Sequence, residues 1–148
     1  MKIWEAALED ALLEQLIALS GDWEAENSCH GYRKNERGDI EGNRIFLAEE
    51  EGRVLAYLIG HREKAERATS IMADGTPYFE IEELYVRPEN RSRGIGRELY
   101  RFAEDTVAGE GIGYLMLSTA TKDYKKILHF YIDELGMDFW SARRYKKL

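Results

Sequence analysis

Apolar residues near the N-terminus follow the spacing of a strand and then that of a helix. Residues 2–7 predict an edge strand. The apolar residues that follow recur at helical intervals: Leu8, Ala11, Leu12, Leu16 and Leu19. The triplet Ser20-Gly21-Asp22 predicts the end of this helix, because glycine is a poor helix former. Residues 23–32 then predict a second, weaker helix.

A hairpin and a long connection are predicted in the middle of the chain. Residues 45–48 and 54–59 are apolar and flank the turn Glu51-Gly52, which is typical of two paired strands. Residues 61–77 are mostly polar and include glycine and proline, so they predict a long connection.

Helices and strands also alternate in the last third of the chain. Helical spacing predicts helices over residues 95–107 and 127–135, and glycines follow both segments. Residues 114–117 predict a strand between them, and residues 137–145 predict a final strand.

The segment at residues 78–87 predicts the central strand, but its apolar positions change parity. Two pairs fall on opposite faces of a regular strand: Phe79 and Ile81 on one, Leu84 and Val86 on the other. A β-bulge near Glu82 would absorb this slip, and bulges often reorient side chains beside active sites. A strand buried on both faces accounts for the same pattern.

Composition restricts the function more than the fold. The chain has 148 residues and a net charge of −7, so we expect one domain over residues 1–148 and no nucleic-acid partner. No apolar run approaches the roughly 20 residues that span a bilayer, and the N-terminus lacks the apolar core of a signal peptide. These features predict a cytoplasmic protein without a membrane partner. The single cysteine, Cys29, excludes an internal disulfide.

The most informative segment lies between the central strand and the helix that follows it. The turn Arg91-Ser92-Arg93-Gly94-Ile95-Gly96 leads directly into the helix, whose first N–H groups have no helical partners and lie at the positive end of its dipole. Arginines crowd around it: Arg87, Arg91, Arg93, Arg97 and Arg101. This arrangement predicts a site for a small polyanion such as pyrophosphate. The alternative is a tight turn whose arginines coat a solvated surface.

This turn resembles the R/Q-x-x-G-x-G/A signature of the GNAT superfamily of acetyl-CoA-dependent N-acetyltransferases. Residues 84–89, L-Y-V-R-P-E, look like the strand that precedes the signature in that family. The start of the chain is loosely similar to the family opening, and Phe130-Tyr131 with Leu135-Gly136-Met137 resembles its F-Y-x-x-L-G-F ending. A dinucleotide-binding fold is not favoured, because its G-x-G-x-x-G pattern fails at Leu99.

The resemblance implies an α/β (α+β) fold of the GNAT type. It implies a mixed central sheet of about six to seven strands, flanked by about four helices. It also implies acetyl-CoA as co-substrate and no metal. The residues that it implies for cofactor binding are Leu84, Tyr85 and Val86 toward the pantetheine arm, and Arg91, Ser92, Arg93, Gly94, Ile95, Gly96 and Arg97 around the pyrophosphate.

Acetyl transfer to an amine needs a base for the ammonium proton and an acid for the departing thiolate. The resemblance implies that Glu82 is the base, because Glu82 stands nine residues before Arg91, where family members carry a glutamate. An electrostatic anchor for a cationic substrate is the alternative role. Glu80 and Glu83 are competing candidates for the base. Strand alternation predicts that Glu83 points away from the side shared by Glu80 and Glu82.

The resemblance implies that Tyr131 is the general acid. A core aromatic residue with a hydrogen-bonded hydroxyl is the alternative. The chain departs from the family at Tyr124, where many relatives carry an asparagine that contacts CoA, so the contacts of residues 119–126 are not assigned.

Other kinds of chemistry find no support in the sequence. His30, His61 and His129 have no metal-ligand spacing to Cys29 or to one another, so no metal site is expected. Ser118 has no nucleophile-elbow setting, and no serine triad is readable.

The acceptor pocket is expected to draw on residues 21–33, the connection at 61–77 and the last strand. Their carboxylates and aromatics suit a cationic amine: Trp23, Glu24, Glu26, Tyr32, Asp74, Tyr78, Phe139 and Trp140. The predicted function is acetyl transfer to a primary amine of a small cationic molecule or peptide, by direct attack in a ternary complex. The alternative is a non-catalytic acyl-CoA-binding regulatory or sensor module of the same fold. A homodimer is a further prediction, because the short C-terminal strand would leave an uncovered edge.

Overall fold

The computed structural model describes residues 1–148 and is built around one five-stranded sheet. The strands lie in chain order: β1 (Lys2–Ala6), β2 (Arg44–Glu50), β3 (Arg53–Lys64), β4 (Pro77–Val86) and β5 (Leu115–Leu117). The first four pair antiparallel, and β5 pairs parallel to β4. The mixed sheet agrees with the sequence-based expectation, but it has five strands rather than six to seven.

Four α-helices accompany the sheet. They are α1 (Asp10–Glu26), α2 (Arg37–Ile40), α3 (Ile95–Gly109) and α4 (Tyr124–Leu128), and α4 continues into a π-helical turn, His129–Glu134. A short 3₁₀ turn, Pro88–Asn90, separates β4 from the turn before α3. None of the helices combines the length and the apolar character that a membrane crossing requires.

Both faces of the sheet are buried, each under a different helix. On one face, α3 and the π-helical turn form a cluster of 15 buried residues with the sheet, which we call the α3 cluster. On the other face, α1 contributes Leu13, Leu16 and Leu19 to a cluster of 11 buried residues, the α1 cluster. Burial of each such leucine contributes about 1.5–3 kcal/mol. Helices on both sides therefore hold β3 and β4 in place.

The predicted edge strand and hairpin are confirmed. The hairpin joins β2 to β3 through Glu51 and Gly52, whose φ angles of 51° and 76° are those of a tight turn that matches the twist of the strands. Because β3 continues to Lys64, the connection that follows is shorter than expected and covers residues 65–76.

The predicted β-bulge lies at Glu82 in β4. The pairing with β3 passes from Ile59 opposite Glu83 directly to Gly60 opposite Ile81, which leaves Glu82 without a partner. The extra residue restores the alternation of side chains, so Leu84 and Val86 pack against the same α3 cluster that contains Phe79 and Ile81. The bulge therefore accounts for the change of parity in the sequence.

The predicted break at Ser20-Gly21-Asp22 is wrong, since α1 runs unbroken from Asp10 to Glu26. Ser20 is fully buried, and its hydroxyl donates to the Ile17 carbonyl at 2.7 Å and accepts from the Asn35 N–H at 2.9 Å. The last turn also packs Trp23 against Tyr32, with ring centroids 4.2 Å apart. This packing outweighs the cost of about 1 kcal/mol for a glycine inside a helix.

The predicted final strand at residues 137–145 is also wrong. Gly136, with a φ of 76°, ends the π-helical turn, and the chain beyond it forms no strand. Phe139, Trp140 and Tyr145 stay exposed, so their apolar character is not evidence of burial in a sheet. With only three residues in β5, a further strand would gain few ladder hydrogen bonds at this edge.

Candidate active site

A cavity lies where β4 and β5 move apart. The two strands pair only over Phe79–Ile81 and Leu115–Leu117. After β5 the chain turns away and pairs instead with the segment after α1, through His30 N to Ala120 O and Lys122 N to Ser28 O, both at 2.9 Å. The gap holds a cavity of about 280 Å³, which we call the main cavity. The edge of β4 from Leu84 to Val86 has no strand partner on this side.

The main cavity brings together the two residues predicted for catalysis. Glu82 reaches it from the bulge of β4, and Tyr131 reaches it from the π-helical turn. Their neighbours on its wall include Ile81, Leu84, Leu117 and Ile127. A carboxylate, which can accept a proton, and a phenol, which can donate one, therefore share one cavity.

Tyr131 is buried but keeps its hydroxyl available. Its side chain is 8% exposed, and its ring packs against the rings of Phe130 and Tyr100. Burial, with a smaller contribution from Tyr100, raises the pKa of Tyr131 well above its ordinary value. No protein group hydrogen-bonds the hydroxyl, which speaks against the alternative of a hydrogen-bonded core aromatic. The phenol stays protonated at neutral pH and can donate to a group in the cavity.

Glu82 is half exposed and forms a close pair with His61. Its Oε1 lies 2.7 Å from Nε2 of His61, and the other ring nitrogen, Nδ1, lies 3.0 Å from Oε1 of Glu63. Burial lowers the pKa of His61, but the hydrogen bond to Glu82 and the negative charges of Glu82, Glu63 and Glu80 outweigh it, so that the pKa is raised. The sequence singled out His61 only as an isolated histidine, since the register that brings it to Glu82 depends on the bulge.

Glu83 does not point away from Glu82 as expected, because the bulge turns both carboxylates to the same side. Glu83 accepts hydrogen bonds from the Tyr57 hydroxyl at 2.7 Å, from Asn35 Nδ2 at 3.0 Å and from the Tyr32 hydroxyl at 3.2 Å. Burial raises the pKa of Glu83, and the three hydrogen-bond donors lower it. The effect of burial is larger, so the pKa lies above its ordinary value. All of these donors are neutral, so the carboxylate has no cationic partner within the chain.

A second cavity, the acidic cavity, adjoins the main cavity at the bulge. Its volume is also about 280 Å³, and it is lined by Asn35, Asp39, Asn43, Ile59, His61, Glu82 and Glu83. Glu82 and Glu83 line both cavities, and no lysine or arginine lines either. Both cavities are therefore negatively charged where they meet and suit a positively charged group.

The glycine-containing turn presents free backbone donors beside the end of β4. No side chain caps α3, and its first backbone bond runs from Glu98 N to Gly94 O at 3.0 Å. The N–H groups of Ile95, Gly96 and Arg97 are thus left without helical acceptors. A Cβ at Gly96 would lie 3.4 Å from Val86 Cγ2, which shows how closely the helix start approaches β4.

The arginines of this turn pair with carboxylates of their own chain. The Nη2 atoms of Arg91, Arg93 and Arg97 lie 2.8, 3.4 and 3.3 Å from carboxylate oxygens of Glu26, Glu50 and Glu134, respectively. These ion pairs occupy part of the donor capacity of the arginines, whereas the first backbone N–H groups of α3 have no acceptor within the chain.

The predicted cofactor residues on β4 differ in what they can offer. Leu84 lines the main cavity, and Val86 is half buried beside Gly96. The side chain of Tyr85 packs in the α1 cluster, where its hydroxyl donates to Glu26 Oε1 at 2.8 Å. Tyr85 can therefore contribute only its backbone to a ligand on the cavity side.

Only two residues of the expected acceptor pocket line the cavities, namely Trp23 and Tyr32. The other six, Glu24, Glu26, Asp74, Tyr78, Phe139 and Trp140, line neither. Glu24, for example, accepts from the backbone N–H of Lys34 at 2.6 Å. Cys29 and His30, which lie within the expected range 21–33 but were not among the residues named individually, also line the main cavity. No three His, Cys, Asp or Glu side chains lie close enough together to hold a metal ion.

The chain matches the model of a known protein family over most of its length. The sequence model described as "Acetyltransferase (GNAT) family" matches residues 6–137. No curated protein sequence matches the chain.

Three solved structures illustrate the similarity of the fold. The aminoglycoside acetyltransferase meta-AAC0020 from an uncultured soil metagenomic sample superposes with a TM-score of 0.70 at 19% identity, covering 99% of this chain and 95% of that one. The aminoglycoside 6'-N-acetyltransferase AAC(6')-IG from Acinetobacter haemolyticus gives 0.68 at 19% identity, covering 100% and 98%. A transcriptional regulator from Bacillus halodurans C-125 gives 0.69 at 21% identity, covering 99% and 97%. At such identities the likeness extends to the fold alone.

Proposed function

The chain belongs to the acetyltransferase (GNAT) family, and on this premise we propose that it transfers an acetyl group from acetyl-CoA to a primary amine. One observation carries the proposal. Glu82 and Tyr131 line the same cavity between β4 and β5, and the glycine-containing turn lies at the end of β4. The proposed base and acid thus share one cavity beside β4, and the proposed anion site lies at the end of the same strand.

The residues around the main cavity fit acetyl-CoA. The free N–H groups of Ile95, Gly96 and Arg97 suit a pyrophosphate at a helix N-terminus. The unpaired edge of β4 from Leu84 to Val86 offers backbone groups to the amides of the pantetheine arm, as an added strand would use them. A thioester at the end of that arm would then lie in the main cavity.

Glu82 and Tyr131 divide the proton transfers between them. Glu82 removes a proton from the acceptor ammonium, directly or through a water, and so makes the nitrogen lone pair available for attack on the thioester carbonyl. A C–N bond forms, the C–S bond breaks, and the attacking nitrogen loses its second proton to water as it becomes the amide nitrogen. Tyr131 gives its proton to the departing sulfur and is reprotonated from solvent.

The charge of the two cavities supports a cationic acceptor. Glu83 is a largely buried carboxylate that only neutral donors contact, and an acceptor ammonium group would supply the missing countercharge. The proposed acceptor is the primary amine of a small cationic molecule or peptide. The similarity to aminoglycoside acetyltransferases agrees with a small polyamine, since aminoglycosides carry several amines.

The proposal is tested by measuring acetyl-CoA binding and CoA release separately. Calorimetry should show binding of acetyl-CoA, and a thiol assay should show CoA release with members of a panel of polyamines, aminoglycosides, amino-acid derivatives and lysine peptides. Tight binding without turnover on any amine would instead indicate the non-catalytic binding module. Absence of binding would overturn both readings.

A further inference from the structure

We propose that His61 relays the acceptor's proton from Glu82 to solvent. The inference rests on the proposed function, because it assigns the route of the proton that Glu82 removes from the amine. His61 is a positioning and relay residue in this scheme, and it acts through Glu82 rather than on the substrate itself.

Three side chains form a path from the cavities to the surface. Glu82 lines both cavities, and its Oε1 lies 2.7 Å from Nε2 of His61. On the far side of the ring, Nδ1 lies 3.0 Å from Oε1 of Glu63. Glu63 lines neither cavity, and its side chain is 47% exposed. The inner step is a hydrogen bond, the outer step is an ion-pair contact at 3.0 Å, and the outer end of the path is in water.

The backbone fixes His61 at the inner part of this path. His61 follows Gly60, the point at which the pairing of β3 and β4 skips Glu82, and it lies directly opposite Glu80. Side chains opposite one another in a strand pair point to the same face of the sheet. Glu82, two residues after Glu80, lies on this same face within reach of the imidazole, and the bulge adds Glu83 to that side.

A histidine improves the match of proton affinities in the relay. An ordinary glutamate has a pKa between about 4 and 5, an ordinary histidine about 6.5 and an alkylammonium about 10. A carboxylate of ordinary pKa would by itself hold the proton weakly at neutral pH and return it to the amine. Transfer onward to the imidazole retains the proton more firmly, and the raised pKa of His61 acts in the same direction.

The protons balance at each step. The N–H bond of the ammonium breaks and an O–H bond forms on Glu82. That proton passes to the lone pair on Nε2 of a neutral His61, which gives an imidazolium. The imidazolium loses its Nδ1 proton to water beside Glu63, and exchange with water restores the starting tautomer.

The titratable groups around His61 are all acidic. Glu63 lies on its own strand, and Glu80 and Glu82 lie on β4. Asp39 and Glu83 face it across the acidic cavity. All of these carboxylates favour the imidazolium, whereas the relay needs the neutral ring. Activity should therefore rise with pH as His61 loses its proton.

The test compares His61→Gln with His129→Gln. Wild-type kcat/KM should rise along an acidic limb, and His61→Gln should lose that limb and lower kcat at pH 7 by about 10- to 100-fold. Its KM for acetyl-CoA should stay unchanged, and added imidazole should restore part of the rate. His129 is a matched control because it also pairs with carboxylates, Asp133 at 2.8 Å and Glu134 at 3.5 Å, but it lines neither cavity. His129→Gln should keep the wild-type profile.

A second variant, Glu63→Gln, tests the relay if His61→Gln fails to fold. Removal of this carboxylate should lower the pKa of His61 and shift the acidic limb to lower pH while turnover continues. An unshifted limb in Glu63→Gln, or a wild-type profile without imidazole rescue in His61→Gln, would overturn the relay and leave the proposed function intact. A wild-type protein that acetylates no amine would overturn the proposed function and the relay with it.

Discussion

Gly60 on β3 faces the backbone carbonyl of Glu80 on β4 so closely that no side chain fits at position 60. A Cβ there would overlap that oxygen and would lie 2.6 Å from Cε1 of Phe79. The pairing of the two strands skips Glu82 at this point. The glycine therefore permits the close approach beside the bulge that turns Glu82 and Glu83 into the cavities.

Gly60→Ala should destabilise the fold and reduce activity. The added methyl meets backbone and a buried ring, neither of which can move freely, so we expect a loss of about 1–3 kcal/mol in the free energy of unfolding. Gly113→Ala is the control, because a Cβ there would meet no atom within 4 Å. Urea unfolding measures both variants. Equal stability of Gly60→Ala and wild type would contradict the close approach.

Glu82→Gln should lower kcat by about 10²- to 10⁴-fold and change its pH profile, since removal of a general base has effects of this size. Glu49→Gln, on β2 and in neither cavity, should behave like wild type. Steady-state kinetics with varied amine separates the two roles of Glu82. A higher KM with an unchanged kcat and pH profile would assign the residue as an anchor for the cation.

Tyr131→Phe should lower kcat by about 10- to 100-fold and leave stability nearly unchanged, because the hydroxyl has no protein partner to lose. Tyr100→Phe is the matched control. Tyr100 is 2% exposed and packs against Tyr131 with ring centroids 6.4 Å apart, but it lines neither cavity. Rates and thermal unfolding are measured on both variants, and identical rates would leave Tyr131 as a core aromatic only.

Glu83→Gln should remove a pH-dependent part of the stability. The pKa of Glu83 is raised above its ordinary 4.5, so the folded state holds the proton more tightly than the unfolded state. This contribution is complete below pH 4.5 and is lost as pH rises through the raised folded pKa.

The measurement is chemical unfolding at several pH values between acid and neutral. Wild type minus Glu83→Gln should give a stability difference that falls as pH rises. Glu14→Gln, at an exposed position on α1, should show no such change relative to wild type. A difference that rises with pH would mean that the hydrogen-bond donors outweigh burial at Glu83.

The elements that the sequence predicted well have local causes. The hairpin depends on Glu51-Gly52, and α3 depends on the glycines before it and the apolar stripe within it. The bulge is a subtler case, because its evidence is the change of parity between Ile81 and Leu84. A regular strand has period two, so one extra residue leaves a visible slip.

The elements that the sequence predicted wrongly depend on packing. Gly21 signals a break by its propensity, yet the turn around it is held by contacts with residues 32–35. The aromatics of residues 137–145 suggested a strand, but they find no sheet edge long enough to bury them. The helix propensity of a residue and the composition of a segment do not indicate which distant residues will pack against them.

A short run of residues was enough to place each of four features: the glycine-containing turn, the bulge, Glu82 and Tyr131. Tertiary structure alone decided what surrounds them. Tyr57, Asn35 and Tyr32 reach Glu83 across 26, 48 and 51 positions of chain, and His61 reaches Glu82 across 21. These contacts follow from the register of β3 against β4 and from the path of the chain after α1. Both depend on how segments that are distant in the sequence pack together, and no single segment predicts that packing.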